Sequence, residues 1–226
     1  MDIIKKAIDE GRSVLSEFEA KQVLSSYGIP ITKYFLVENV SELDKAVGEV
    51  GFPLVMKGCS PEIAHKTEQG LIRLDIRSSE EARKAFAEIQ KDMPGGKGAI
   101  LVEEMIKGSR ELVIGMTRDP QFGPCVMFGL GGIFTEILRD VVFRKAPLEK
   151  IDASEMMEDI KGHKILGSVR GMAEADREIL ADMLIRIGQI GLDQPNVKEI
   201  DANPVILDKQ GRPVAVDALI VLNGKS

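Results

Sequence analysis

The sequence predicts an α+β protein built in two lobes. Three observations lead there: helices with both ends marked by capping and stop residues, short strand-like runs among them, and connections that mix crossover and hairpin types. A doubly wound sheet would show crossovers throughout.

Ser16-Glu17-Phe18-Glu19 is a capping box, followed by Ala20, Val23, Leu24 and Tyr27 at helical spacing and stopped by Gly28 with Pro30 beyond. Residues 1–28 therefore form an N-terminal helical segment. Ile31 to Val37 reads as a strand, Ser41 opens a short helix that stops at Gly51 and Pro53, and Leu54-Val55-Met56-Lys57 is a buried strand ending in a cation. Leu71 to Ile76 alternates as a strand, and Ser78 with Glu81 caps a helix carrying Ala82, Ala85, Phe86 and Ile89, ended by Pro94-Gly95-Gly96. Strands follow at 99–106, 111–117 and 124–128, with an Asp-Pro turn near residue 120. Helices near 152–161 and 176–190 precede a final strand pair. The expected lobes are 30–103 and 104–226, together one domain of 226 residues.

Hydrophobic residues make up 44% of the chain, enough for a real core. A net charge of −6 argues against a general nucleic-acid or membrane-surface binder, which needs a basic footprint. No long apolar run or basic leader appears, so a soluble, cytoplasmic protein is expected. Cys59 and Cys125 fit neither a disulfide framework nor a metal-ligand spacing. They are expected to be reduced, packed thiols.

The most informative local pattern is the last strand pair. Residues 197–203 alternate polar and apolar, and Lys209-Gln210-Gly211-Arg212 turns the chain back toward Val214 to Val221. A hairpin centred near Gln210 sets Asn203 opposite Asp217, with Asp201 beside them on the same face. Two carboxylates and an amide oxygen suit Mg²⁺, while a solvated edge hairpin would show the same pattern. Lys57 at a strand end suits a phosphate or plain solvent. Gly129-Leu130-Gly131-Gly132 reads as an anion-binding nest or as a turn. His65 sits on a polar loop, where an imidazole can accept a phosphoryl group reversibly or do nothing; His163 keeps the second reading.

Taken together these segments resemble the ATP-grasp subunit of ADP-forming acetyl-CoA and related acyl-CoA synthetases over nearly the whole chain. Ser60-Pro61-Glu62-Ile63-Ala64-His65-Lys66-Thr67 is similar to that family's phosphohistidine segment. Tyr27-Gly28-Ile29-Pro30, Gly51-Phe52-Pro53, Gly129 to Glu136, Val169-Arg170-Gly171 and Glu199 to Pro204 agree with it. The resemblance implies an ATP-grasp fold of two α/β lobes with the nucleotide held between them. His65 would carry the phosphoryl group, and Lys57 would contact phosphate. The Glu103-Glu104-Met105 backbone would read the adenine edge and Glu111 the ribose, with Gly131 and Gly132 facing the transferring phosphoryl. Asp201, Asn203 and Asp217 fall on the metal positions; Asp201 stands where the family's motif has glutamate, one carbon longer.

The implied cofactor is Mg²⁺ with ATP or ADP as substrate, and the implied partner is a CoA-binding α subunit in an α2β2 heterotetramer, without nucleic acid or membrane. Two other readings stay open. One is a different ATP-grasp carboxylate ligase, which needs no phosphohistidine, and the other is a catalytically silent nucleotide-binding module.

Overall fold

A computed structural model of the chain describes residues 2–60, 70–94, 98–132, 139–169 and 171–223. The chain forms two compact units, one of residues 1–15, 19–31 and 106–226, the other of residues 16–18 and 32–105. Most of the N-terminal helical segment belongs to the larger unit.

In the smaller unit, β1 (Tyr34–Val37), β2 (Leu54–Cys59), β3 (Ile72–Ile76) and β4 (Ala99–Glu104) pair antiparallel in the order β1-β4-β2-β3. Helices α3 (Val40–Val50) and α4 (Ser79–Asp92) supply the rest of its core. Each buries a stripe at helical spacing: Leu43, Ala46 and Val47 in α3, and Ala82, Ala85, Phe86 and Ile89 in α4. Ser78 caps α4 as expected, its side chain accepting the Glu81 N–H at 3.1 Å. The α3 start differs from expectation. Asn39 rather than Ser41 is the cap, accepting the Glu42 N–H at 3.0 Å, and an amide side chain at that position starts the helix two residues earlier.

The larger unit holds α1 (Asp2–Asp9) and most of α2 (Glu17–Ser26), whose first two residues lie with the smaller unit. Its sheet runs β10-β8-β5-β6-β7, with β9 also paired to β8. The strands are β5 (Arg110–Asp119), β6 (Gly123–Leu130), β7 (Val141–Lys145), β8 (Val197–Leu207), β9 (Pro213–Ala215) and β10 (Leu219–Leu222). Strand β7 has no counterpart in the sequence reading, because Val-Val-Phe-Arg-Lys carries no clean alternation. Helices α5 (Lys150–Asp159) and α6 (Arg177–Asp193) complete the described elements of this unit apart from a short turn of 3₁₀ helix at His163–Leu166.

Strand period fixes two different faces on the large sheet. Leu112, Ile114, Met116, Val126, Phe128, Ile200, Ala202 and Ile220 join one core cluster with α1, α2, α5 and α6. The intervening Glu111, Thr117, Met127, Phe143, Glu199, Asp201 and Asn203 point the other way. Among the described residues no helix is long and apolar enough to cross a membrane. Cys59 is buried and Cys125 half-buried.

The two faces predict opposite responses to truncation. Phe128 is fully buried and Phe143 is 54% exposed. In urea unfolding, Phe128→Ala is expected to cost about 3–5 kcal/mol, and Phe143→Ala less than about 1 kcal/mol.

Candidate functional site

The register of the C-terminal strands sets the geometry. Val205 pairs with Ala215 on one side, Asp201 with Leu219 and Ile200 with Ile220 on the other. Between these pairs the Val216 N–H donates to the Pro204 carbonyl at 3.1 Å, so Asn203 and Asp217 fall opposite each other. The sequence-derived hairpin is the observed one.

On its other edge β8 carries an irregularity. Leu112 of β5 pairs with Val205 while Ile114 pairs with Ala202, so two residues, Asn203 and Pro204, face one residue of β5. This is a β-bulge, and it keeps both residues off the core while Ala202 and Val205 on either side are buried in it. Pro204 in the middle of a strand pattern was the available signal, since proline is confined to edges and bulges.

Asp201 shows what this arrangement does electrostatically. Its Oδ1 is buried without a hydrogen-bond partner. Burial, then the negative charges of Glu199 and Asp217, push its carboxyl up from the ordinary 3.8 to about 6. Beside it the open face sinks into a hollow of about 240 Å³ lined by Thr117, Met127, Phe143 and Glu199, among others. That space suits an ion with its waters rather than a whole nucleotide, whose pockets run upward of roughly 300 Å³. Asp217 Oδ1 accepts the Ala218 N–H at 2.8 Å, which fixes its rotamer.

Two carboxylates, one of them with an orphaned buried oxygen, and one amide oxygen fit a hard divalent cation that takes its remaining ligands from water and phosphate. Among the described residues no three His, Cys, Asp or Glu side chains gather to hold a metal by themselves. This is the donor set of Mg²⁺ rather than of zinc.

Glu111 lies on the same sheet, and the glycine cluster packs against it. The Gly131 N–H donates to the Glu111 carbonyl at 2.8 Å, and a Cβ at Gly131 would sit 2.6 Å from the Leu112 carbonyl oxygen. Gly132 has φ +61°, and a Cβ there would collide with Glu111 Oε2. The glycines are therefore required by close approach to β5 and by a left-handed backbone. The Gly131 N–H is already engaged.

In the smaller unit Lys57 is buried and held by two carboxylates, Glu17 Oε1 at 2.8 Å and Glu103 Oε1 at 2.6 Å. Glu103 Oε2 also accepts the Thr32 hydroxyl at 2.7 Å. Sequence reasoning missed Glu17 and Thr32, because both lie far from Lys57 along the chain. The Glu104 N–H donates to the Lys33 carbonyl at 3.0 Å and the Met105 N–H to the Pro53 carbonyl at 3.2 Å. Both N–H groups are thus engaged within the fold. His65 lies outside the described residues, as do residues 133–136 and Arg170. His163 Nδ1 lies 3.1 Å from the Ile160 carbonyl, a local turn contact.

One further node holds the segment bearing Val169 and Gly171. Buried Arg110 donates from Nη1 to the carbonyls of Ile165 at 3.0 Å and Gly167 at 3.2 Å, and from Nη2 to that of Ala173 at 2.6 Å.

This fold and donor set define a nucleotide-handling domain of the ATP-grasp class, and the family model described as ATP-grasp domain matches residues 6–222. The chain is 44% identical over 226 residues to the acetate–CoA ligase [ADP-forming] I subunit beta of Pyrococcus furiosus, covering 98% of this chain and 97% of that one. It is similar to two structures of the dinucleotide-forming acetyl-coenzyme A synthetase 1 of Ca. Korarchaeum cryptofilum, each at 44% identity over 98% of this chain and 99% of the other. The first holds coenzyme A and Ca-AMPCP, with a TM-score of 0.93. The second holds coenzyme A and Mg-AMPPCP, its phosphohistidine segment pointing towards the nucleotide binding site, with a TM-score of 0.87. The chain belongs to the family of ATP-grasp β subunits of ADP-forming acetyl-CoA synthetases.

The raised Asp201 carboxyl has a signed consequence. A folded value above the unfolded one means that the folded state binds more protons between them. In metal-free buffer, stability should fall by roughly 2–3 kcal/mol as pH rises from about 4 to about 6, then level. Asp201→Asn should remove that decline in chemical denaturation at stepped pH; an unchanged profile would place the responsible group elsewhere.

Proposed function

We propose that this chain is the nucleotide-binding β subunit of an ADP-forming acyl-CoA synthetase, most simply an acetate–CoA ligase. The overall reaction is acyl-CoA + ADP + Pi = carboxylic acid + ATP + CoA, running in either direction. The observation that carries the reading is the near end-to-end match to a chain named as such a subunit. The independent hairpin register, which sets Asp201, Asn203 and Asp217 together, supports it.

In this reading a histidine of a CoA-binding α subunit delivers the phosphoryl group to His65. The His65 imidazole nitrogen forms a bond to phosphorus as the bond to the partner's histidine breaks. A terminal phosphate oxygen of ADP then attacks the same phosphorus, and His65 departs as the imidazole. Lys57 meets phosphate, the 103–105 segment meets the adenine edge, and the Glu111 carboxylate accepts from ribose hydroxyls. Gly131 and Gly132 bring backbone close to the transferring group. Asp201, Asn203 and Asp217 would hold Mg²⁺, which offsets phosphate charge when it accompanies the nucleotide.

The name of the P. furiosus relative implies a separate α chain, and an α2β2 assembly follows the family analogy. A cytoplasmic location fits a reaction on ATP and CoA. Phosphohistidine chemistry separates this reading from a direct carboxylate ligase and from a silent nucleotide-binding module.

Incubation with its partner subunit, Mg²⁺ and γ-labelled ATP should give an acid-labile, base-stable adduct that mass spectrometry places on His65. His65→Ala should abolish the label and lower turnover by at least about 10³-fold, as loss of a covalent nucleophile does. Measurable Mg·ATP binding with no adduct would reject the phosphohistidine route. Asp217→Ala is expected to leave the fold intact and to weaken labelling at limiting Mg²⁺ by about 10- to 100-fold.

A further inference from the structure

Lys21 is one of the large fully buried side chains, at 0% exposure, on helix α2 of the larger unit. An ammonium withdrawn from water costs several kcal/mol unless its protons are well placed, and Leu or Met would fill the same volume without that cost. Lys21 Nζ donates to the Val216 carbonyl at 3.1 Å, one residue before Asp217.

Val216 lies between β9 and β10, where the regular ladder to β8 is interrupted. Its N–H is held by the carbonyl of Pro204, the residue after Asn203, and its carbonyl is held by Lys21. Ala215 is held in turn, its N–H donating to the Pro30 carbonyl at 3.0 Å. Both backbone groups of the residue before Asp217 are thus anchored, one to the Asn203 side of the hairpin and one to helix α2.

We propose that Lys21 is a positioning residue for the metal-binding hairpin: its buried ammonium fixes the Val216 carbonyl and thereby aims the carboxylate of Asp217. It touches neither substrate nor metal. The proposal rests on the reading of Asp201, Asn203 and Asp217 as metal-binding residues. Backbone placement beyond the ligands commonly governs affinity, and loss of such support typically costs about 10- to 100-fold.

The test uses the full chain with ADP. Mn²⁺ binding is followed by electron paramagnetic resonance and repeated with Mg²⁺ as competitor, alongside metal-free ADP binding and thermal unfolding. Lys21→Met should bind the metal at least about tenfold more weakly, with metal-free ADP affinity and melting temperature close to wild type. Lys21→Arg, which keeps a charged donor, should recover most of the loss. A folded Lys21→Met with wild-type metal affinity overturns the proposal. Should Lys21→Met fail to fold, Lys21→Gln is read in its place. Failure of both neutral variants beside a wild-type Lys21→Arg assigns Lys21 to stability alone and also overturns it. Asp217→Ala separates the two levels. If it leaves metal affinity unchanged, the metal-site reading fails with the proposal; if it weakens binding and Lys21→Met does not, only the Lys21 inference falls.

Discussion

The pairing register of β8 with β9 and β10 is the constraint on which the candidate site depends. Strand side chains alternate between faces, so a slip of one residue would turn Asp201 into the apolar core and Ile200 out of it. The slip is opposed from both sides. Ile200, Ala202, Val205 and Ile220 are all buried in one cluster, and misregister would expose them together. Full burial of each such side chain is worth about 1.5–3 kcal/mol. The polar triad is thus held by its apolar neighbours, and the bulge at Asn203-Pro204 shifts the pairing with β5 by one residue while Val205–Ala215 and Asp201–Leu219 stay in one register.

Buried charge in this chain falls into two kinds. Arg110 and Asp140 are structural nodes, the first donating to three carbonyls and the second accepting the Lys161 and Gly162 N–H groups at 2.8 and 2.7 Å. Each fixes an irregular segment that has no ladder of its own. Lys57 differs, because its ammonium is held by two carboxylates rather than by backbone groups.

Much of this was legible in the sequence wherever the determining interactions are short in range. The Ser78 cap, the α4 stripe and the hairpin turn at residues 209–212 depend on residues a few positions apart, and the α+β division followed from them. The opposition of Asn203 and Asp217 was legible because a hairpin converts a symmetric sequence separation into spatial opposition. What escaped depends on distant partners. Nothing local announces that Lys21 meets Val216, that Glu17 meets Lys57, or that Arg110 gathers carbonyls from residues 165–173. Gly131 and Gly132 were recognised as unusual, but the reason lay in β5, twenty residues earlier. Strand β7 escaped for a similar cause, since it is made a strand by pairing with β6 rather than by its own pattern.

Asp201 joins these arguments. Glu199 and Asp217 crowd a carboxylate whose own burial already opposes its ionisation, so the metal-free site is under electrostatic load at neutral pH. Under the proposed metal-binding role, a cation would relieve that load and supply the partner that Oδ1 lacks. Proton and cation would then be alternative occupants, and cation binding would raise the stability of the folded chain in a concentration-dependent way. The shorter side chain of Asp at this position, where the family pattern has Glu, keeps that oxygen close to the strand and inside the fold. A longer carboxylate would reach farther from the sheet and lose burial, and with it the coupling between metal occupancy and stability.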